Sequence, residues 1–204
     1  MAPLEKLPLG HAGCDEVGRG PLVGDVVAAC VLFHDTAPEG IRDSKKLSQT
    51  KRLQLGPLIA QSAWVGFGHA TAQEIDEIGI HRASLRAMTR AILACPHPPV
   101  FVVVDGKFTP QVSIPCRAEI KGDDRFIEVA AAAIMAKLRR DAMMTELEAS
   151  YPGYGFDQHQ GYPTRQHREA LERLGPTPEH RMSYKTLRDL PSVKNGKKNT
   201  LSHP

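Results

Sequence analysis

The chain has 204 residues, 41% hydrophobic and 24% charged, the make-up of a soluble globular protein long enough to bury a core. Twenty-six Lys and Arg against 23 Asp and Glu leave a formal charge of +3, too weak a bias to demand a polyanionic partner but compatible with one. The longest unbroken apolar runs, Val26 to Phe33 and Val129 to Ala136, are 8 residues each, whereas a membrane-spanning helix needs about 20.

In chain order, a short strand is expected at Gly13 to Val17 and a long buried one at Asp25 to Phe33. Ser62 to Ala70 reads as a third strand. Thr71 to Glu74 has the capping-box pattern of a helix running to Ile78, and after Gly79 a second helix follows from His81 to Ala94. Val100 to Val104 is a strand that stops at Asp105-Gly106. Val112 to Ile120 is extended and broken by Pro115, and a long helix follows from Asp124 to Ala149. YPGYGF, residues 151 to 156, is turn chemistry, and a last amphipathic helix spans Thr164 to Leu174 before Gly175-Pro176. This alternation predicts an α/β domain with a mixed sheet over residues 10–188, with flexible tails at 1–9 and 189–204.

Cys14, Cys30, Cys95 and Cys116 show no CxxC spacing and sit in or beside apolar segments, so reduced, mostly buried thiols are expected. The opening MAPLEKLPLG carries prolines and a glutamate where a signal peptide needs a basic start and an apolar core. A cytoplasmic protein is the expectation.

The densest chemistry lies in CDEVGRGPLVGD, residues 14 to 25. Neighbouring side chains on a strand face opposite ways, so either Asp15 or Glu16 must face a core or a cleft. A bare Asp-Glu pair is usually a solvated strand end. Here, however, Gly18-Arg19-Gly20 follows at once, offering unobstructed backbone N–H groups and a guanidinium to a phosphate or sugar. VFVVVDG places Asp105 at the carboxyl end of a buried strand, where α/β proteins bind ligands. An Asp-Gly pair also simply opens turns. Together, the three acids form a set of hard oxygen donors suited to Mg²⁺ or Mn²⁺. A fourth is either Asp123 or Asp141. On one continuous helix these lie roughly 27 Å apart and cannot share a site. Asp123, at the sheet–helix junction, is the better ligand, although Asp123 or Asp124 could be a plain N-cap. Asp141 is expected to pair with a neighbouring Arg on the helix surface.

The ordered series DEVGRGPL (15 to 22), DSKKLS (43 to 48), HRASLRAM (81 to 88), VVDG (103 to 106), KGD (121 to 123), AAAIMAKLRRD (131 to 141), YPGYGF (151 to 156) and HQGYPTRQH (159 to 167) resembles the ribonuclease HII family, the type 2 ribonucleases H, over about residues 10 to 188. The resemblance implies a ribonuclease H-like fold: a central mixed five-stranded sheet flanked by helices, with a helical C-terminal segment. It implies an endoribonuclease using Mn²⁺ or Mg²⁺, with metal-binding catalytic carboxylates at Asp15, Glu16, Asp105 and Asp123. It also implies that Gly18, Arg19 and Gly20 read the ribose 2′-hydroxyl and that Tyr162 packs on the deoxyribose beyond an RNA–DNA junction. The expected partners are RNA–DNA hybrid and ribonucleotide-containing duplex DNA, bound by a monomer with no membrane partner. Lys45, Lys46 and Lys185 could position phosphates. Asp25 departs from the family's usual proline and Ala133 from its serine; neither is one of the four carboxylates.

Other residues read more plainly. His159, His167 and His180 are expected as surface or phosphate contacts, and Phe101 to Val104 and Trp64 as core. Two other classes compete with a nuclease. A non-catalytic hybrid-binding module would have lost one or more acids, and a small-molecule phosphatase would need neither Gly18-Arg19-Gly20 nor Tyr162.

Overall fold

In the computed structural model, which describes residues 3–189, the run Val26–Phe33 forms strand β2 and is buried at all eight positions. Its side chains explain the unbroken apolar pattern. Val26, Ala28, Cys30 and Leu32 enter one core layer, and Ala29, Val31 and Phe33 enter the other. Around it lie β1 (His11–Val17), β3 (Ala63–Ala70), β4 (Phe101–Asp105) and β5 (Cys116–Glu119), in the order β3-β2-β1-β4-β5. β1–β2 and β2–β3 are antiparallel and β1–β4 and β4–β5 parallel, the expected mixed five-stranded sheet.

Helix α1 (Gln49–Ser62) was not anticipated, because Gly56-Pro57 reads as a break. The helix instead carries Pro57 inside it, starts on Ser48, whose Oγ accepts from Lys51 N, and buries Leu55 and Ile59. Gly56 has a packing reason, since a Cβ there would fall 2.5 Å from Leu138. Helix α2 (Ala72–Leu93) opens with the expected capping box: Glu74 N donates to Thr71 Oγ1 and Thr71 N to Glu74 Oε2. The two expected helices run together across Gly79, whose φ of 78° breaks the helical path.

Helix α3 (Ile127–Ser150) starts three residues later than expected, because Gly122–Asp124 forms a separate 3₁₀ turn. α3 lies directly on β1, where a Cβ on Gly13 would fall 2.2 Å from the α3 backbone at Glu128 and Val129. The C-terminal part contributes α4 (Phe156–His159), α5 (Arg165–Leu174) and α6 (Lys185–Arg188). They enclose a third apolar cluster of Leu22, Val23, Met144, Tyr154, Phe156, Ala170, Leu171 and Leu187.

Residues 5 to 7, expected within a flexible tail, are tied down. Glu5 bridges to Phe126, Leu7 packs with Val103, Phe126 and Val129, and Leu7 N donates to the buried Glu128 carboxylate. The C-terminal tail lies, from residue 190, outside the described residues. Trp64 is half-buried and packs against the main core cluster, set between His34 and His97 at ring distances of 4.7 and 4.4 Å. Phe101 is likewise only half-buried. The cysteines are free, three buried and Cys116 half-buried. No helix among the described residues is long and apolar enough to cross a membrane.

Candidate active site

Parallel pairing of Cys14 with Val104 places the next residues, Asp15 and Asp105, side by side at the carboxyl ends of β1 and β4. Strand alternation then separates the adjacent acids. Gly13, two before Asp15, lies against α3, and Cys14, two before Glu16, packs in the layer with α2. Asp15 is therefore the buried acid, 6% exposed, and Glu16 lines a cleft of about 260 Å³ with Arg19, His81, Asp105, Lys107 and Phe108. Asp123 reaches the same rim from the 3₁₀ turn. Gly122 N donates to Asp105 Oδ1 at 2.8 Å, fixing the neighbour of Asp123 against Asp105. The N-cap of α3 is Phe126, so Asp123 does not cap that helix.

Burial and crowding of like charge shape this rim. The Asp15 carboxyl is pushed well above the ordinary carboxylate range, first by burial and then by the charges of Glu16, Asp105 and Asp123. Burial also raises Asp105 and Asp123, against relief from the Gly122 N–H and from Lys45 respectively. Two cations of the chain stand among the acids: Arg19 Nη1 is 2.9 Å from Glu16 Oε1, and Lys45 Nζ is 3.4 Å from Asp123 Oδ2. Glu16 Oε2 is buried and has no hydrogen-bond partner.

Four carboxylates, one with an orphaned oxygen, are the donor chemistry of a hard divalent cation. As the side chains stand, no three His, Cys, Asp or Glu among the described residues converge on one point as an ion's ligands. Glu16 and Asp123 each turn one oxygen to Arg19 and Lys45 instead, so the donors fit such an ion in kind while those two oxygens are engaged locally. Lys46 contacts Asp124 and lies 3.7 Å from Asp43. Asp141 pairs with Lys137 at 2.6 Å, one helical turn away, not with an arginine as expected, and takes no part in the rim.

Beside the acids runs the loop 18–25. Arg19 and Gly20 are exposed, and Gly18 is buried with φ +92°, where a Cβ would strike Arg140 at 2.2 Å. Tyr162, 43% exposed, sets its ring over Gly20, where an added Cβ would lie 3.3 Å from the ring. Gly18, Arg19, Gly20 and Tyr162 are thus brought together, and Lys45 stands on the acid rim. Lys185 is exposed at the start of α6.

The three histidines expected at the surface are buried, at 9%, 0% and 1% exposure for His159, His167 and His180. Their partners fix their protons. Thr177 N donates to His180 Nδ1, so His180 Nε2 carries the hydrogen and donates to His167 Nε2 at 3.2 Å. His167 Nδ1 donates to the Tyr162 carbonyl, and His159, which accepts from Gly161 N, donates to the Tyr154 carbonyl. All three rings are neutral in this arrangement. Burial holds His167 and His180 down to about 4.

Sequence reasoning also missed Arg140 and Arg181, which are almost completely buried at 1% and 0% exposure. Arg140 donates to the carbonyls of Val23, Asp25 and Gln160. Arg181 donates to those of Gly18, Arg19, Pro21 and Gly24. Spacing offered a signal for Arg140, since Ala136, Arg140 and Met144 form a buried i, i+4, i+8 stripe. Asp25 lies 3.9 Å from His69 and also faces both guanidiniums electrostatically.

Residues 12–187 match the model of the family Ribonuclease HII. A ribonuclease HII of Pseudoalteromonas atlantica is 50% identical over 178 residues, 86% of this chain and 90% of its own length. One of Ruegeria pomeroyi is 48% identical over 183 residues, 87% of this chain and 78% of its own. The solved ribonuclease H2 of Pyrococcus horikoshii superposes with a TM-score of 0.76 at 25% identity, covering 93% of this chain and 99% of that one. The sheet order, the acids at the β1 and β4 ends and these likenesses over most of its length agree: the chain belongs to the ribonuclease HII family of metal-dependent endoribonucleases.

Proposed function

We propose that the enzyme hydrolyses the RNA strand of RNA–DNA hybrids and cuts 5′ of single ribonucleotides embedded in duplex DNA, leaving 3′-hydroxyl and 5′-phosphate ends. The carrying observation is the juxtaposition of four crowded carboxylates with a glycine-lined loop under an exposed tyrosine ring. A phosphodiesterase of small substrates would need the first but not the second.

Asp15, Glu16, Asp105 and Asp123 would hold Mg²⁺ or Mn²⁺, and the orphaned Glu16 Oε2 supports that role. When bound, such ions activate water and stabilise the charge of an in-line phosphodiester displacement. The chain's own groups supply position and selection. The backbone at Gly18, Arg19 and Gly20 reads the 2′-hydroxyl, the one group that tells RNA from DNA. The Tyr162 ring packs on the sugar following the ribonucleotide, and Lys45 and Lys46 hold phosphates, which makes binding salt-dependent. We take residues 10–188, with residues 5 to 7 docked on them, as the catalytic unit and a monomer as its working form. Four free thiols suit a reducing, cytoplasmic setting, where the activity would remove misincorporated ribonucleotides and RNA primers in DNA repair and replication.

The test is a labelled duplex with a single ribonucleotide, incubated with Mn²⁺, with Mg²⁺ and with neither. Cleavage at the 5′ side of the ribonucleotide, dependent on the ion and yielding an end that a polymerase extends, is the expected result. Absence of cleavage with either ion, or cutting of the matching all-DNA duplex, overturns the reading.

A further inference from the structure

Buried charge is costly unless every part of it is paired, and Arg181 is a fully buried guanidinium whose hydrogen bonds all go to carbonyls and a phenol. Nη2 donates to Gly18 O and Gly24 O, both at 2.7 Å. Nη1 donates to Pro21 O at 2.8 Å, Arg19 O at 3.1 Å and Tyr184 Oη at 3.1 Å, and Nε donates to Gly24 O at 2.9 Å. Tyr184 Oη itself donates to Arg19 O at 2.7 Å. The acceptors are the turns of one loop, 18–24, and the loop edges are stitched to the same region: Arg181 N donates to Leu22 O and Gly24 N to Glu179 O.

This arrangement decides where the amides of the loop point. In a trans peptide unit, the carbonyl of one residue and the N–H of the next face opposite ways. Gly18 O and Arg19 O turn inward to Arg181, so Arg19 N–H and Gly20 N–H turn outward, at residues that are themselves exposed. The arginine is in turn held from α2, where Asp76 accepts from Met182 N, Ser183 N and Ser183 Oγ. A lysine could supply the charge but not the planar fork that spans four carbonyls.

We propose that Arg181 is the positioning residue of the ribose-reading loop: by gathering the carbonyls of Gly18, Arg19, Pro21 and Gly24 it fixes the outward aim of the Arg19 and Gly20 amides on which selection of a ribonucleotide depends. The inference rests on the reading of residues 18–20 as the ribose reader. Arg181 touches no substrate and acts only through the loop, with Tyr184 as its partner on the Arg19 carbonyl.

The experiment measures binding of two fluorescent duplexes, one with a single ribonucleotide and one all-DNA, by anisotropy in an Asp105→Asn background, so that neither is cut. Arg181→Lys is expected to lower the ribo-to-deoxy affinity ratio about tenfold, with all-DNA binding unchanged, because an ammonium cannot hold the four loop carbonyls as the fork does. Tyr184→Phe, which removes one hydroxyl (a donor to Arg19 O and an acceptor for Arg181 Nη1) and leaves the core packed, is expected to lower the ratio about twofold to threefold. A merely structural role would weaken both duplexes together. Folded Arg181→Lys with a wild-type ratio overturns the inference. If Arg181→Lys does not fold, Tyr184→Phe decides, with a lowered ratio in support and a wild-type ratio against. Gly20→Ala separates the two layers. An unchanged ratio there removes the ribose-reading role of the loop and the inference with it, whereas a changed ratio beside an unaffected Arg181→Lys removes the inference alone.

Discussion

The acid rim and the region behind the 18–25 loop both crowd groups of like charge, and they resolve the crowding in opposite ways. At the rim, burial and neighbouring acids raise the cost of ionising Asp15, Asp105 and Asp123, Arg19 and Lys45 offset part of the charge, and one Glu16 oxygen is orphaned. Behind the loop, Arg140 and Arg181 are satisfied by backbone carbonyls, and His159, His167 and His180 by remaining neutral with one proton each. On the proposed reading, a cation from outside completes the first arrangement. The second is complete within the chain. A site that must take up a ligand stays unsatisfied, and the frame that aims it does not.

Breaking the rim has the largest expected effect. Asp105→Asn keeps the shape and the acceptor for Gly122 N but removes a charge the ions need. Cleavage should fall about 1000-fold or more, because bound ions supply several kcal/mol and each 1.4 kcal/mol is about tenfold. Substrate affinity should stay within a few-fold. The same variant should melt higher than wild type in EDTA, since one of the crowded charges is gone. Asp141→Asn, on the Lys137 pair, should keep most activity. Near-wild-type turnover of Asp105→Asn at saturating Mn²⁺ would break the assignment of the rim.

The frame should fail with acid. His167 and His180 are held at about 4 from an ordinary 6.5. As pH falls through about 6.5 the unfolded chain takes up protons that the folded rings refuse, so stability is intact above that value and drains away toward about 4. At about 1.4 kcal/mol per unit, the loss amounts to a few kcal/mol for each ring. The rim works against it: Asp15, Asp105 and Asp123 are raised by burial, so their ionisation costs stability as pH rises and acid relieves them. Urea midpoints for the metal-free protein across this range, beside those of His167→Gln, separate the two. The variant should show the shallower loss on acidification, and equal slopes would mean that the histidines do not carry the transition.

Which of these regions the sequence disclosed follows from how far apart the partners lie. β2 is an uninterrupted apolar run and the α2 capping box is local, so both were readable. The acids were readable because each sits in its own short signature, Asp15 and Glu16 within β1, Asp105 at the end of β4 and Asp123 in the 3₁₀ turn. The α1 helix was hidden because Gly56-Pro57 breaks helices locally, whereas burial of Leu55, Gly56 and Ile59 holds it in the fold. The histidines and arginines misled or escaped for another reason. Their partners are carbonyls or a ring, from 5 residues away for His159 and His167 to 163 for Arg181, and a backbone carbonyl has no residue type to recognise. His180 and Arg181 are adjacent, yet they serve the Tyr162 segment and the 18–24 loop respectively.

Tyr162 belongs to both regions, because its carbonyl is bound by His167 while its ring covers Gly20 at the mouth of the site. If the ring contacts the deoxyribose after a ribonucleotide, the contact is largely apolar and the ring carries it more than the phenol. Tyr162→Ala should then lose roughly 10-fold or more on a single embedded ribonucleotide, about 1.4 kcal/mol of transition-state stabilisation. It should lose less on a continuous RNA–DNA hybrid, where no deoxyribose follows the cut. Tyr162→Phe should fall between wild type and Ala on the junction substrate. None of these changes touches the backbone carbonyl that His167 binds, so the frame should survive and the melting temperature should move little. The deciding measurement is the ratio of the two cleavage rates for each variant. Equal losses on both substrates, with or without a fall in melting temperature, would assign Tyr162 to the frame and leave junction selection to the 18–20 backbone.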